Sequence, residues 1–353
     1  MKRSIALAVC LIGCSASSPQ TTHDSGASTE AGGGPSWQVV LQGLQPSLLA
    51  VWGTAQGDVF AVGGSLGNGT PASLLHYDGT SWKDLAPGGT ETFWWAHGTS
   101  NKDVWAVGTN GHIVHWDGSA FADHSVKPAT TATLYGVWAA SGTDAWAVGG
   151  TPEGGTTRPN DVLLHWDGTS WTPSPLPMTL GRTFFKVWGT SSANLYVVGE
   201  FGTVWHRVGT TWSLEANKPK PLATGNLTTV SGCSATEVYA VGGQDVLVSD
   251  GKTWTRANVT VVNGGVNGVS CASAGSPVIV GFGGFRQRLV SKQWVDDTTT
   301  SPIQNDFHGA WADPAGGFWA AGGHFVDQPH AGVSREGILA YYGTASISST
   351  MGK

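Results

Sequence analysis

Apolar residues in this chain fall in short runs with strand-like patterning, each closed by Gly, Asp or Thr, and the runs themselves repeat. Seven segments follow one template. An apolar first strand ends as in Val51-Trp52-Gly53-Thr54, and a short turn leads to a second, Asp58-Val59-Phe60-Ala61-Val62-Gly63. A third strand ends in Leu75-His76-Tyr77-Asp78-Gly79, and a fourth opens with Ser81-Trp82. The Gly that closes the second strand recurs at 63, 108, 149, 199, 242, 281 and 322, a spacing of 39 to 50 residues. That period fits a four-stranded propeller blade, so an all-β, seven-bladed β-propeller is predicted over residues 35–343.

The chain ends settle how such a ring closes. The seventh repeat runs through Trp311, Phe318 to Gly323 and Ile338 to Gly343, and stops before any Ser-Trp strand. That strand stands at the other end of the chain, as Ser36-Trp37-Gln38-Val39-Val40. The N-terminal strand is therefore expected to complete the last blade, removing two exposed sheet edges. Residues 344–353 are left as a C-terminal tail.

The turn between third and fourth strands has its own signature. His76-Tyr77-Asp78-Gly79-Thr80-Ser81-Trp82 recurs at 115–121, 165–171 and 206–212, and more loosely at 248–254. Asp-Gly makes a tight turn in which Gly accepts positive φ and Asp bonds the backbone, and the Trp packs on its neighbour. This resembles the Asp-box, or BNR, repeat of sialidase-like propellers, the best local match being Ser249-Asp250-Gly251-Lys252-Thr253-Trp254. Here Asp and Gly are adjacent, where the Asp-box has a residue between them. The resemblance implies architecture rather than activity.

Composition agrees with many short strands: 52 Gly, 18 Trp and only 12% charged residues. With 18 Lys plus Arg against 24 Asp plus Glu and no basic run, nothing offers a nucleic-acid backbone a grip. Beyond the N-terminus no stretch is apolar for the length of a membrane span. Residues 1–14 read as a signal peptide, with Lys2 and Arg3 ahead of the apolar Ile5 to Ile12. Leu11-Ile12-Gly13-Cys14 resembles the lipobox of bacterial lipoproteins, which implies acylation of Cys14, with Ser15 pointing to the outer membrane. Residues 15–34, rich in Ser, Thr and Gly, read as a flexible tether.

Candidate chemistry is sparse. His76, His115, His165 and His206 hold one template position in successive blades, so they are spread around the ring and cannot share an ion. His308, His324 and His330 lack the spacing of a zinc site, and neither a metal nor a cofactor is assigned. A sialidase needs an arginine cluster, yet the seven arginines after Arg3 share no template position facing the channel. Trp82, Trp171, Trp212, Trp254 and Trp294 repeat at one site, and Trp52, Trp138, Trp188 and Trp311 at another, which reads as core packing. Trp95 is an exception: its position holds Ala50, Gly136, Thr229, Gly268 and Gly309 elsewhere, with Lys186 the one other large residue.

With no catalytic set assigned, the chain reads as a monomeric recognition module of the cell envelope or surface that binds a protein or glycan. Its membrane contact is through the N-terminal lipid alone. An exported polysaccharide-acting enzyme and an envelope assembly factor stay open as alternatives. Turns joining strands one to two and three to four are short, while links between strands two and three and between blades vary in length. The latter two classes are expected to share one binding face. Its candidate ligand residues are His324, Phe325, Asp327 and His330 in blade 7, Arg158, Asn160 and Asp161 in blade 3, and Trp94, Trp95 and Lys186 at the channel mouth. Cys233 and Cys271 end first strands of consecutive blades, in the two blades whose Trp is replaced by Ser231 and Ser270. A disulfide is expected between them.

Overall fold

The computed structural model describes residues 34–64, 69, 71–126, 130–152, 158–215, 222–262, 264–273, 275–299, 303–325 and 335–352. Cys14 and the tether to residue 33 lie outside them, as do Asp327 and His330. The strands form seven antiparallel four-stranded sheets, each a blade of a closed propeller. The first strands, innermost in the ring, are Ser47–Ala55, Phe93–Ser100, Thr133–Ser141, Phe184–Ser191, Thr229–Ser234, Val266–Cys271 and Asp306–Ala312 in blades 1 to 7.

The ring closes as the repeat predicts. Ser36–Leu44 is the outer strand of blade 7, antiparallel to Glu336–Gly343, with Trp37 opposite Tyr342 and Gln38 opposite Tyr341. Trp37 is buried and its indole N–H donates to Asp297 Oδ2 of blade 6 at 3.0 Å. The C-terminal tail also pairs. Trp82 N–H donates to Thr350 O at 2.8 Å and Gly352 N–H to Trp82 O at 2.7 Å, so the tail runs along the outer strand of blade 1.

The recurrent second-strand Gly has a steric cause. In all seven blades a Cβ there would stand 1.9 to 2.3 Å from a backbone carbonyl oxygen at the start of the first strand. Only Gly lets the two backbones come so close. Beside it, in blades 1, 2, 3, 4, 6 and 7, the first strand carries a β-bulge, as between Leu48 and Ala50 or Phe93 and Trp95. A bulge re-aims a side chain, and here it turns one residue per blade toward the channel mouth.

The seams between blades are aromatic. Five fourth-strand tryptophans meet a second-strand ring of the preceding blade edge-on: Trp82 on Trp319, Trp171 on Trp105, Trp212 on Trp146, Trp254 on Tyr196 and Trp294 on Tyr239, with centroids 5.2 to 6.2 Å apart. The template histidines stack on the second-strand rings of their own blades, Phe60, Trp105, Trp146 and Tyr196, at 4.0 to 4.3 Å. Each one's Nε2 meets Asp58, Asp103, Asp144 or Asn194 at 2.7 to 2.9 Å. The Asp-Gly turns form as expected: Asp78 Oδ1 accepts the Thr80 and Ser81 N–H groups at 2.9 Å, and Gly79 has φ +90°.

Candidate functional site

The seven first strands wall the central channel, and their bulged residues make its mouth. Leu49, Trp94, Tyr135 and Phe185 are buried there as one apolar cluster, with Phe325 packed against it. Trp94 meets Tyr135 at 4.9 Å, Tyr135 meets Phe185 at 5.4 Å, and His308 lies 5.8 Å from Trp94 and 6.1 Å from Phe325. Blades 5 and 6 place polar Thr228 and Asn267 in the same row, the Thr228 hydroxyl donating to Asn267 O at 2.8 Å.

One residue further along the first strands, Lys186 reaches into the channel. Its ammonium donates to Tyr135 O at 2.8 Å and stands 4.2 Å from the centre of the Trp95 ring, a cation–π contact. The residue is only 3% exposed, and burial pushes its pKa down to about 7. Among the described residues no carboxylate pairs with it. Burial, with the neighbouring Lys186 charge, pushes His308 down to about 3, and its Nδ1 is 2.7 Å from Leu49 O. His97 is pushed down to about 4 by burial, and its Nδ1 accepts the Ala139 N–H at 3.1 Å.

Beyond Lys186 the channel opens into a cavity of about 150 Å3, whose wall includes Trp52, Trp138, Trp188 and Trp311. These tryptophans, expected to be core, thus also face open space. Three of them lean toward the following blade: the ring edges of Trp311, Trp52 and Trp188 lie 2.9, 3.0 and 2.2 Å from where a Cβ would stand on Gly53, Gly98 and Gly232. At Gly232 the Trp188 ring alone excludes a Cβ, and at Gly53 and Gly98 the ring adds to the closer backbone oxygens of Asp58 and Asp103. Where the Trp is missing, another link replaces it. His97 takes the Ala139 N–H, Ser270 Oγ takes the Ala312 N–H at 2.9 Å, and beside Ser231 the Cys233–Cys271 disulfide joins blades 5 and 6.

The two variable loop classes do share one face, where they hydrogen-bond to each other. Gly111 N–H donates to Ala132 O, Gly202 N–H to Gly225 O and Asp161 N–H to Arg182 O, at 2.7 to 2.8 Å. Of the expected ligand residues, Trp94, Trp95, Lys186 and Phe325 come together at the channel mouth. His324 stands apart, its Nε2 3.3 Å from Asn305 Nδ2 and 3.8 Å from Glu336 Oε1. Asn160 and Asp161 fasten a loop: Asn160 Oδ1 accepts the Thr151 N–H at 2.7 Å, and Asp161 Oδ2 accepts those of Leu180 and Gly181. Arg158 is exposed beside them.

Three residues on this face escaped the sequence reading. The turn Glu200–Gly202 places Phe201 at φ +55° with 55% of its surface exposed. The equivalent turns carry Asn110 and Gly283 at φ +58° and +60°, residue types that accept this conformation. Arg182 lies over the Phe201 ring at 5.5 Å, and Met178, on the link into blade 4, is 54% exposed. The turn is held firmly, since Glu200 Oε2 accepts the buried Thr183 N–H and Gly202 N–H donates to Gly225 O, both at 2.7 Å. The signal lay in aligning Glu200-Phe201-Gly202 with Thr109-Asn110-Gly111, where only one turn puts an aromatic at the left-handed position.

Neither a family model nor a curated protein sequence matches this chain. Its structure is similar to that of YCF48 bound to D1 peptide, at 14% identity and a TM-score of 0.63, over 89% of this chain and 100% of the other. It is also similar to streptogramin B lyase, at 12% identity and 0.66, over 87% and 97%. A third similar structure is U3-55K, at 11% and 0.66, over 88% and 100%. At such identities the likeness is one of fold.

Proposed function

We propose that this protein is a recognition module of the bacterial cell envelope, tethered by an acylated Cys14 to the outer membrane, that binds a protein ligand on its loop-rich face. The observation that carries the reading is Phe201. A bulky residue in the left-handed region costs about 1–2 kcal/mol relative to Gly. An exposed ring held there by a rigid turn, with an arginine over its face and an exposed methionine nearby, has the make-up of an interface anchor. Glu200 and its backbone partners hold the turn in place, so little order need be gained on binding. A similar fold bound to a peptide in YCF48 supports a protein rather than a sugar as ligand. We read the Asp-Gly hairpins as degenerate Asp-box repeats that serve the scaffold alone.

The test compares the wild type with Phe201→Gly, which removes the ring and relieves its backbone. Affinity capture from an envelope extract, followed by titration of the purified partner, should give one defined protein. Its affinity for Phe201→Gly should fall by about 2 kcal/mol, roughly thirty-fold. The melting temperature should hold or rise, because Gly accepts the turn without strain. A partner that binds both forms equally, or binding found on a glycan array alone, would defeat the reading.

A further inference from the structure

We infer that the central channel is a binding site for a small organic carboxylate, its anionic end paired with the Lys186 ammonium and its apolar body lying among Trp52, Trp138, Trp188 and Trp311. This site is independent of the loop-rich face. The cavity of about 150 Å3 matches in size one that holds a benzene ring, which limits the guest to about six to ten non-hydrogen atoms. Indole rings on several sides suit a flat or compact apolar body. At the mouth end, Leu49, Trp94, Tyr135 and Phe185 are buried together, and Lys186 and Trp95 lie at the boundary between that cluster and the cavity.

The chemistry of the guest follows from the charge. An ammonium has three donors; Tyr135 O engages one, and the Trp95 face offers a second, weaker contact. No described carboxylate neutralises it, so the folded protein holds a buried amine that a ligand anion would complete. Inorganic anions carry the charge without filling the aromatic cavity, and an amide fills the cavity without the charge. The pairing also has a proton signature. Burial holds Lys186 near pH 7, and an anion beside it would raise that value, so binding at pH 8 draws a proton from solution. The other titratable groups packed around it are silent there. His308 and His97 are held at about 3 and 4, and burial pushes the Tyr135 phenol above its usual value.

Calorimetric titration of the whole purified chain with benzoate, benzamide and inorganic phosphate, each in buffers of different ionisation heat, tests this. Benzoate is expected to bind and quench tryptophan fluorescence, with benzamide at least ten-fold weaker and phosphate silent. Benzoate binding at pH 8 should take up close to one proton, and at pH 6 almost none. Lys186→Met should abolish binding while keeping the fold, and Ser231→Trp, which puts the template residue of four other blades into the cavity, should block it with Lys186 intact. Equal binding of benzoate and benzamide, binding without proton uptake at pH 8, or no binding of benzoate to wild type would each overturn the assignment.

Discussion

His97 and His308 each sit where the other six blades have something else, and both are held uncharged by burial. The unfolded chain takes up protons on these rings as pH falls below about 6.5, whereas the folded protein does so only near 4 and 3. Their stabilising contribution is therefore complete above pH 6.5 and lost on acidification. One such ring accounts for up to about 3 kcal/mol by pH 4.5, at about 1.4 kcal/mol per pH unit. Melting followed from pH 7 to pH 4 should fall steeply, and His97→Gln, whose side-chain oxygen can still accept the Ala139 N–H, should flatten that decline. An unchanged acid limb would count against the neutral burial of His97. Lys186 acts in a different window: its depressed value means the unfolded state holds more protons from about pH 7 up to the ordinary lysine range, so stability rises with pH there. In the sequence Lys186 stood out as an exception to the template, whereas His97, alone among the blades at the Trp position, was missed. Their burial, and hence their charge state, depended on neighbours contributed by other blades.

Strands in this molecule were legible because each is short, apolar and closed by a turn residue, and because every blade repeats the same solution. The pairing of Ser36–Leu44 with Glu336–Gly343 followed from counting, since one strand was missing at one end and spare at the other. Removing residues 15–34 should leave melting unchanged, whereas removal through residue 42 should lower it by on the order of 10 °C, through loss of Trp37 and an open blade edge. Circular dichroism melts of the two truncations decide this, and equal values would mean that Ser36–Leu44 contributes nothing to closure. The pairing of the C-terminal tail with Trp82 was not legible. Ala345-Ser346-Ile347-Ser348-Ser349-Thr350 carries no template signal, and backbone hydrogen bonds to an open strand edge ask almost nothing of side-chain identity.

For the molecule as a whole, the tether and anchor concern where the propeller works. Cys14→Ser should move the protein from the membrane fraction to the soluble one, as read by fractionation and immunoblot; a wild type already wholly soluble would remove the anchor from the account. On the ring itself, the seam between blades 5 and 6 combines legible and illegible features. Two cysteines beside two serines where four other blades have Trp announced a covalent link, and the structure joins them. That Trp52, Trp188 and Trp311 would lean on a Gly of the following blade and still leave a cavity beside them could not be read from repetition, which marks equivalence but not which side faces open space. The sequence by itself determined the blade number, the four-strand unit, the closing strand and the face that carries the variable loops, because each is a matter of periodicity, chain ends or loop length. Only the tertiary structure decided that Trp94 and Lys186 are buried in the channel, that Asn160 and Asp161 secure a loop, and that Phe201 stands exposed in a left-handed turn. The burial in the channel depends on first strands that come within a few ångströms of one another only when seven blades close around a common axis, and the two loop outcomes depend on hydrogen bonds between a loop and a link joining two blades.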